Sequence, residues 1–221
     1  AIELEPKNVG FCYGDLGYVQ CKFGLYKEAI ESIEKAIVLE PEGGGSYDDL
    51  GHAQKMLGLN EEVVETYKKA IEHNPEDAGY YNGLGLAQCR LGLKDEAIES
   101  IEKAIELEPN DVGSYYGNLG YVQYECGLYK EAIENYKKAI GLEPEGGVYY
   151  YHDIGHAQRK LGLYKEAIEN YKKIIESDPD LADYDNLGDA QYECGLYKEA
   201  MESFKKDMEQ NPKDAGDNKD I

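Results

Sequence analysis

Residues 113–147 read GSYYGNLGYVQYECGLYKEAIENYKKAIGLEPEGG. The stretch holds two segments with the same periodicity. Tyr116, Leu119, Val122 and Gln123 recur at three- and four-residue steps, and so do Ala132, Ile133, Tyr136, Ala139 and Ile140. Such steps gather side chains on one face of a helix. Gly127 separates the segments and Pro144 follows the second. Glycine ends a helix by taking a left-handed conformation, and proline cannot continue one. The stretch therefore predicts helix, tight turn, helix, stop.

The phrase recurs along the whole chain. Pro6, Pro41, Pro75, Pro109, Pro144, Pro179 and Pro212 are all of its prolines, at intervals of 35, 34, 34, 35, 35 and 33 residues. A second landmark keeps the step: Leu16-Gly17, Leu50-Gly51, Leu84-Gly85, Leu119-Gly120, Ile154-Gly155 and Leu187-Gly188. The chain is a repeat array, which decides the fold class before any other reading. Each second helix also places a glutamate four residues before a lysine, as in Glu31–Lys35 and Glu134–Lys138, the order that favours an ion pair on a solvated face.

The 221 residues carry 45 acidic and 23 basic side chains, a formal charge of −22. Length alone allows one large or two small domains. With 31% charged and 42% hydrophobic residues the composition is that of a folded chain. No stretch approaches the roughly 20 apolar residues of a membrane helix. The acidic balance opposes nucleic acid and anionic membranes as partners. Five scattered cysteines without a Cys-x-x-Cys motif argue against a disulfide framework and favour a reducing compartment, hence the cytoplasm.

Unit three reads Tyr81, Leu84-Gly85, Gly92, Ala97, Ile101, Ala104, Pro109, and unit five reads Tyr151, Ile154-Gly155, Gly162, Ala167, Tyr171, Ile174, Pro179. This resembles the tetratricopeptide repeat, a helix-turn-helix unit of about 34 residues. The resemblance runs over six units, residues 10–43, 44–77, 78–112, 113–147, 148–180 and 181–212. It implies an all-α fold, a right-handed superhelical α-solenoid of antiparallel helix pairs with the first helices lining a concave groove. Residues 1–6 repeat the ending Ala104-Ile105-Glu106-Leu107-Glu108-Pro109, and residues 1–9 are expected to be the remnant of a preceding second helix, with residues 213–221 a polar tail.

Two departures from the family motif stand out. Glutamine follows the Leu-Gly glycine by three residues in every unit, at Gln20, Gln54, Gln88, Gln123, Gln158 and Gln191. These amides predict either a hydrogen-bonded ladder from unit to unit or a half-exposed polar spacer. The first helices also hold Gly14, Gly83 and Gly117. Each costs roughly 1 kcal/mol against alanine.

Carried over from the family, the groove positions expected to meet a partner are Tyr18, Lys22, His52, Lys55, Asn82, Leu86, Arg90, Tyr121, Tyr124, His152, His156, Arg159, Asp185, Asp189 and Tyr192. The lining mixes charges of both signs with tyrosines. Tyrosine brings large contact area at low entropic cost, which suits an extended or helical peptide. The alternative for many tyrosines is simply core.

His152 and His156 share a helix face, and Asp185 and Asp189 hold the same two places in the next unit. Two imidazoles facing two carboxylates form a candidate divalent metal site. The rivals are polar faces without a metal and a pH-dependent His–Asp contact. The run Gly43-Gly44-Gly45-Ser46 lacks the lysine of a phosphate loop. No Ser–His–acid constellation stands out. The expectation is a non-enzymatic scaffold without cofactors that holds a protein or peptide, or alternatively an array that self-associates end to end.

Overall fold

The computed structural model describes residues 6–41, 44–109 and 112–210. Ala1–Glu5, Gly43 of the glycine run, and the tail from residue 211, with Pro212, lie outside them. The chain divides into two compact units, Ala1–Asp111 and Val112–Ile221. The first holds α1 (Pro6–Lys22), α2 (Tyr26–Leu39), α3 (Gly44–Met56), α4 (Asn60–His73), α5 (Ala78–Arg90) and α6 (Lys94–Leu107). The second holds α7 (Gly113–Glu125), α8 (Tyr129–Leu142), α9 (Gly147–Lys160), α10 (Tyr164–Ser177), α11 (Tyr184–Glu193) and α12 (Tyr197–Gln210), with 3₁₀ turns at Pro144–Gly146 and Pro179–Leu181. No strand occurs among the described residues. Residues 6–9, assigned by the sequence to a preceding unit, are the first turn of α1.

Within each unit every helix packs on the next, and first helices of neighbouring pairs also touch, α1 with α3, α3 with α5 and α7 with α9. Each pair turns at a glycine with φ between +72° and +82°, at Gly24, Gly58, Gly92, Gly127, Gly162 and Gly195. A side chain there would clash with the backbone, so glycine is required. The leucine after each glycine donates its N–H back to the carbonyl of the repeated glutamine, for example Leu128 to Gln123 at 2.8 Å and Leu93 to Gln88 at 3.0 Å. This is the six-to-one bond of a Schellman turn.

The same glutamines act through their side chains. Gln54, Gln88, Gln123, Gln158 and Gln191 are buried. Each accepts one hydrogen bond from the second helix of its own pair: from Thr66 at 2.8 Å, and from Ser100, Asn135, Asn170 and Ser203 at 2.7 Å. Neither sequence expectation holds, because the amides are buried and the bond runs inside the pair rather than from unit to unit. Gln20 differs, since its buried Oε1 has no partner.

The core repeats with the pairs. Ala29, Ile33, Leu50 and Ala53 form one cluster, and Ala132, Ile133, Tyr136, Ile154 and Ala157 form another. In each, residues of one pair meet those of the next, which is how a repeat array buries faces that one pair alone leaves wet. The Leu-Gly glycines let the two helices of a pair approach. A Cβ on Gly85 would lie 2.5 Å from Ile101 and 2.8 Å from the Ala97 carbonyl.

The second-helix lysines do more than face solvent. Lys35, Lys138, Lys173 and Lys206 stand 4.9–5.5 Å over the rings of Tyr13, Tyr116, Tyr151 and Tyr184. Each is a cation–π contact between the two helices of a pair. Glu65, expected to pair with Lys69, instead pairs with Lys68 at 3.1 Å.

Candidate interaction surface and histidine cluster

First-helix periodicity sets the surface. In the first unit, Tyr18 and Lys22 share a face of α1, His52 and Lys55 a face of α3, and Asn82, Leu86 and Arg90 a face of α5. Tyr18 is exposed, and the Lys22 ammonium sits 5.0 Å above its ring. His52, Lys55 and Arg90 are exposed, whereas Asn82 and Leu86 are half-buried. The Asp48 carboxyl on α3 accepts a hydrogen bond from the Tyr67 phenol on α4. Asp48 leaves much of its surface to solvent, yet partial desolvation and the neighbouring Asp77 and Asp49 push it up to about 6.

In the second unit Tyr121 and Tyr192 are exposed at 41% and 62%, but Tyr124 is not. It is half-buried edge-on to Tyr129, ring centroids 5.4 Å apart. Burial pushes its phenol up. Tyr197, at the start of α12, is 61% exposed.

The Arg159 guanidinium donates to Asp189 at 2.7 Å, to Glu193 at 3.0 Å and to Asn186 at 2.7 Å. Burial opposes its charge, but hydrogen bonds to Glu193 and Asp189 outweigh that and hold it protonated. Arg159, a groove position in the sequence, thereby joins α9 to α11.

The histidines meet a different carboxylate from the one expected. Nε2 of His152 lies 2.9 Å from Oδ2 of Asp183 and 3.2 Å from Nε2 of His156. Asp185 is exposed and Asp189 is held by Arg159, so neither joins the histidine cluster. Asp183 sits just before α11, where its Oδ1 accepts the Asn186 N–H at 3.0 Å and caps the helix. Hydrogen bonds to Asp153 and Asp183 raise His152 to about 9. Burial, then the neighbouring charge of His152, lowers His156. Burial favours a neutral Asp183, but hydrogen bonds from His152 and Asn186 prevail and bring it to about 2. Sequence periodicity missed Asp183 because it lies outside the helix. Its signal is an N-cap one, an aspartate three residues before an asparagine at a helix start.

Models of the tetratricopeptide repeat match residues 78–111, 113–145, 148–181 and 184–214, more than half the chain. The chain belongs to the tetratricopeptide repeat family. No curated protein sequence matches it significantly. Among similar solved structures, MamA is 29% identical, over 78% of this chain and 93% of MamA, with a TM-score of 0.65. PilW, a type IV pilus biogenesis factor, is 19% identical with a TM-score of 0.82, over 93% of this chain and 94% of its own. YrrB, described as a TPR protein with an unusual peptide-binding site, is 23% identical with a TM-score of 0.63, over 83% and 94%. The twelve helices among the described residues and these likenesses give the chain the all-α fold class of TPR proteins. Among the described residues no helix is long and apolar enough to cross a membrane.

Proposed function

We propose that this TPR chain is a non-enzymatic scaffold that binds an extended or helical segment of a partner protein on its first-helix faces. One observation carries the reading: Tyr18 in the first unit and Tyr121 and Tyr192 in the second expose large rings on first helices, whereas Tyr47, Tyr80, Tyr136 and Tyr171 are buried. Exposed aromatic area with a hydroxyl tip favours protein contact. The fold shared with YrrB agrees with a peptide ligand at the level of architecture. In the first unit Lys22 lies beside Tyr18, and Lys55 and Arg90 are exposed on first helices, so a segment with some acidic residues fits there. Selection from a displayed library of random peptides tests this. The protein enriches binders, and the Tyr121→Ser/Tyr192→Ser variant of the second unit binds them at least tenfold more weakly with its thermal midpoint held. Equal binding removes these tyrosines from the site.

A second reading rests on α1 and the turn that follows it. Leu16, Val19 and Phe23 follow three- and four-residue steps and are 47%, 47% and 77% exposed. The equivalents of Leu16 in later pairs, Leu50, Leu84, Ile154 and Leu187, are all buried. This uncovered face suits the end of a second copy. Sedimentation over a range of concentrations decides it: association that Phe23→Glu abolishes supports the reading, and a monomer throughout ends it.

A further inference from the structure

The histidine cluster has donor types and spacings that the peptide reading does not use. Nε2 of His152, Nε2 of His156 and Oδ2 of Asp183 are separated by 3.2 Å and 2.9 Å about His152, and the three donors all lie within 4.8 Å of one another. Two nitrogen or oxygen ligands of a tetrahedral zinc, each about 2.0–2.1 Å from the metal, stand about 3.3 Å apart. Both close separations approach that edge. We propose that His152, His156 and Asp183 bind one divalent transition cation, zinc in the first instance, leaving the fourth position to water.

The neighbours of the three donors hold them in place. Nδ1 of His152 faces the Asp153 carboxylate at 3.6 Å, which turns Nε2 toward the cluster. A carboxylate behind a ligating imidazole fixes its tautomer and strengthens it as a ligand. The Asp183 carboxylate is fixed by the Asn186 backbone at 3.0 Å and side-chain amide at 2.7 Å, and Arg159 in turn holds Asn186 at 2.7 Å. His152 and His156 stand one turn apart on α9, and Asp183 comes from the start of α11. A cation here ties α9 to α11, the same two helices that Arg159 joins. Imidazole with a single carboxylate selects zinc, nickel or copper over magnesium or calcium, which prefer all-oxygen sites.

Titration calorimetry of the tag-free full chain with zinc chloride tests the site. One cation binds per chain. His156→Ala weakens it at least tenfold, Asp153→Asn weakens it about tenfold or more, and Asp185→Asn leaves it unchanged. His156 is the safest ligand to remove because it lies outside the capping and clamping bonds. Far-ultraviolet circular dichroism confirms that each variant stays helical. Cobalt(II) substitution adds a second readout: visible absorption of a tetrahedral centre without a thiolate charge-transfer band, since the five cysteines are the competing ligands. Absence of binding, binding indifferent to His156→Ala, or a thiolate band overturns the proposal.

Discussion

At Gly14 and Gly83 the same residue type, both mid-helix, has opposite consequences. A Cβ at Gly14 would meet Ser46 at 3.7 Å and Ala36 at 4.0 Å, ordinary contact. Gly14→Ala therefore removes only glycine's backbone entropy cost and stabilises the protein by about 1 kcal/mol. A Cβ at Gly83 would fall 2.4–2.8 Å from the Tyr67 ring, which is mostly buried. Gly83→Ala forces that ring aside and destabilises by about 1–3 kcal/mol. Urea denaturation of the two variants gives shifts of opposite sign, and a common sign refutes the packing account. The repeated glutamine supplies a second residue-scale test. Ser100→Ala leaves buried Gln88 Oε1 without its 2.7 Å donor. The cost is about 1–3 kcal/mol, the penalty of an unsatisfied buried polar atom. Adding Gln88→Leu recovers most of it, because both polar partners are then gone.

At the scale of elements, α3 and α4 carry a pH dependence. The folded-state pKa of Asp48 is raised from 3.8 to about 6, first by burial, then by Asp77 and Asp49, with Tyr67 opposing. Between these values Asp48 binds more proton in the native state than in the unfolded chain. Its contribution to stability therefore falls as pH rises from about 4 to about 6, then levels off. Asp48→Asn removes this slope and raises the thermal midpoint at neutral pH. Carboxyl titration by nuclear magnetic resonance places the Asp48 midpoint near 6 and moves it higher in Tyr67→Phe, which lacks the phenolic donor. A midpoint near 4 sinks the prediction.

The whole molecule carries a charge of −22. Ion pairs such as Lys68–Glu65 and Lys103–Glu106 are solvent-exposed, and each contributes about 0–1 kcal/mol. Repulsion among surplus carboxylates outweighs them, so salt stabilises this protein. Raising sodium chloride from about 0.01 M to about 0.1 M shortens the screening length from about 30 Å to about 10 Å. The thermal midpoint rises across that range. A falling midpoint means that attractive pairs dominate.

The local chemistry of the repeat was legible in the amino-acid order. Helix periodicity, a glycine that alone accepts positive φ at each turn, and a proline that stops each pair act over a few residues, so reading along the chain finds them. The tetratricopeptide family and its paired helices followed. The partners of polar side chains were not legible. Asp185 and Asp189 share the helical places of His152 and His156, yet Asp183, from the connection before α11, reaches His152 while Arg159 takes Asp189. Likewise the glutamine landmark was plain, but its bond to a residue 12 positions on was not. Such meetings depend on how closely two helices approach and which rotamers their packing leaves open. Those distances arise only when the pairs fold against each other.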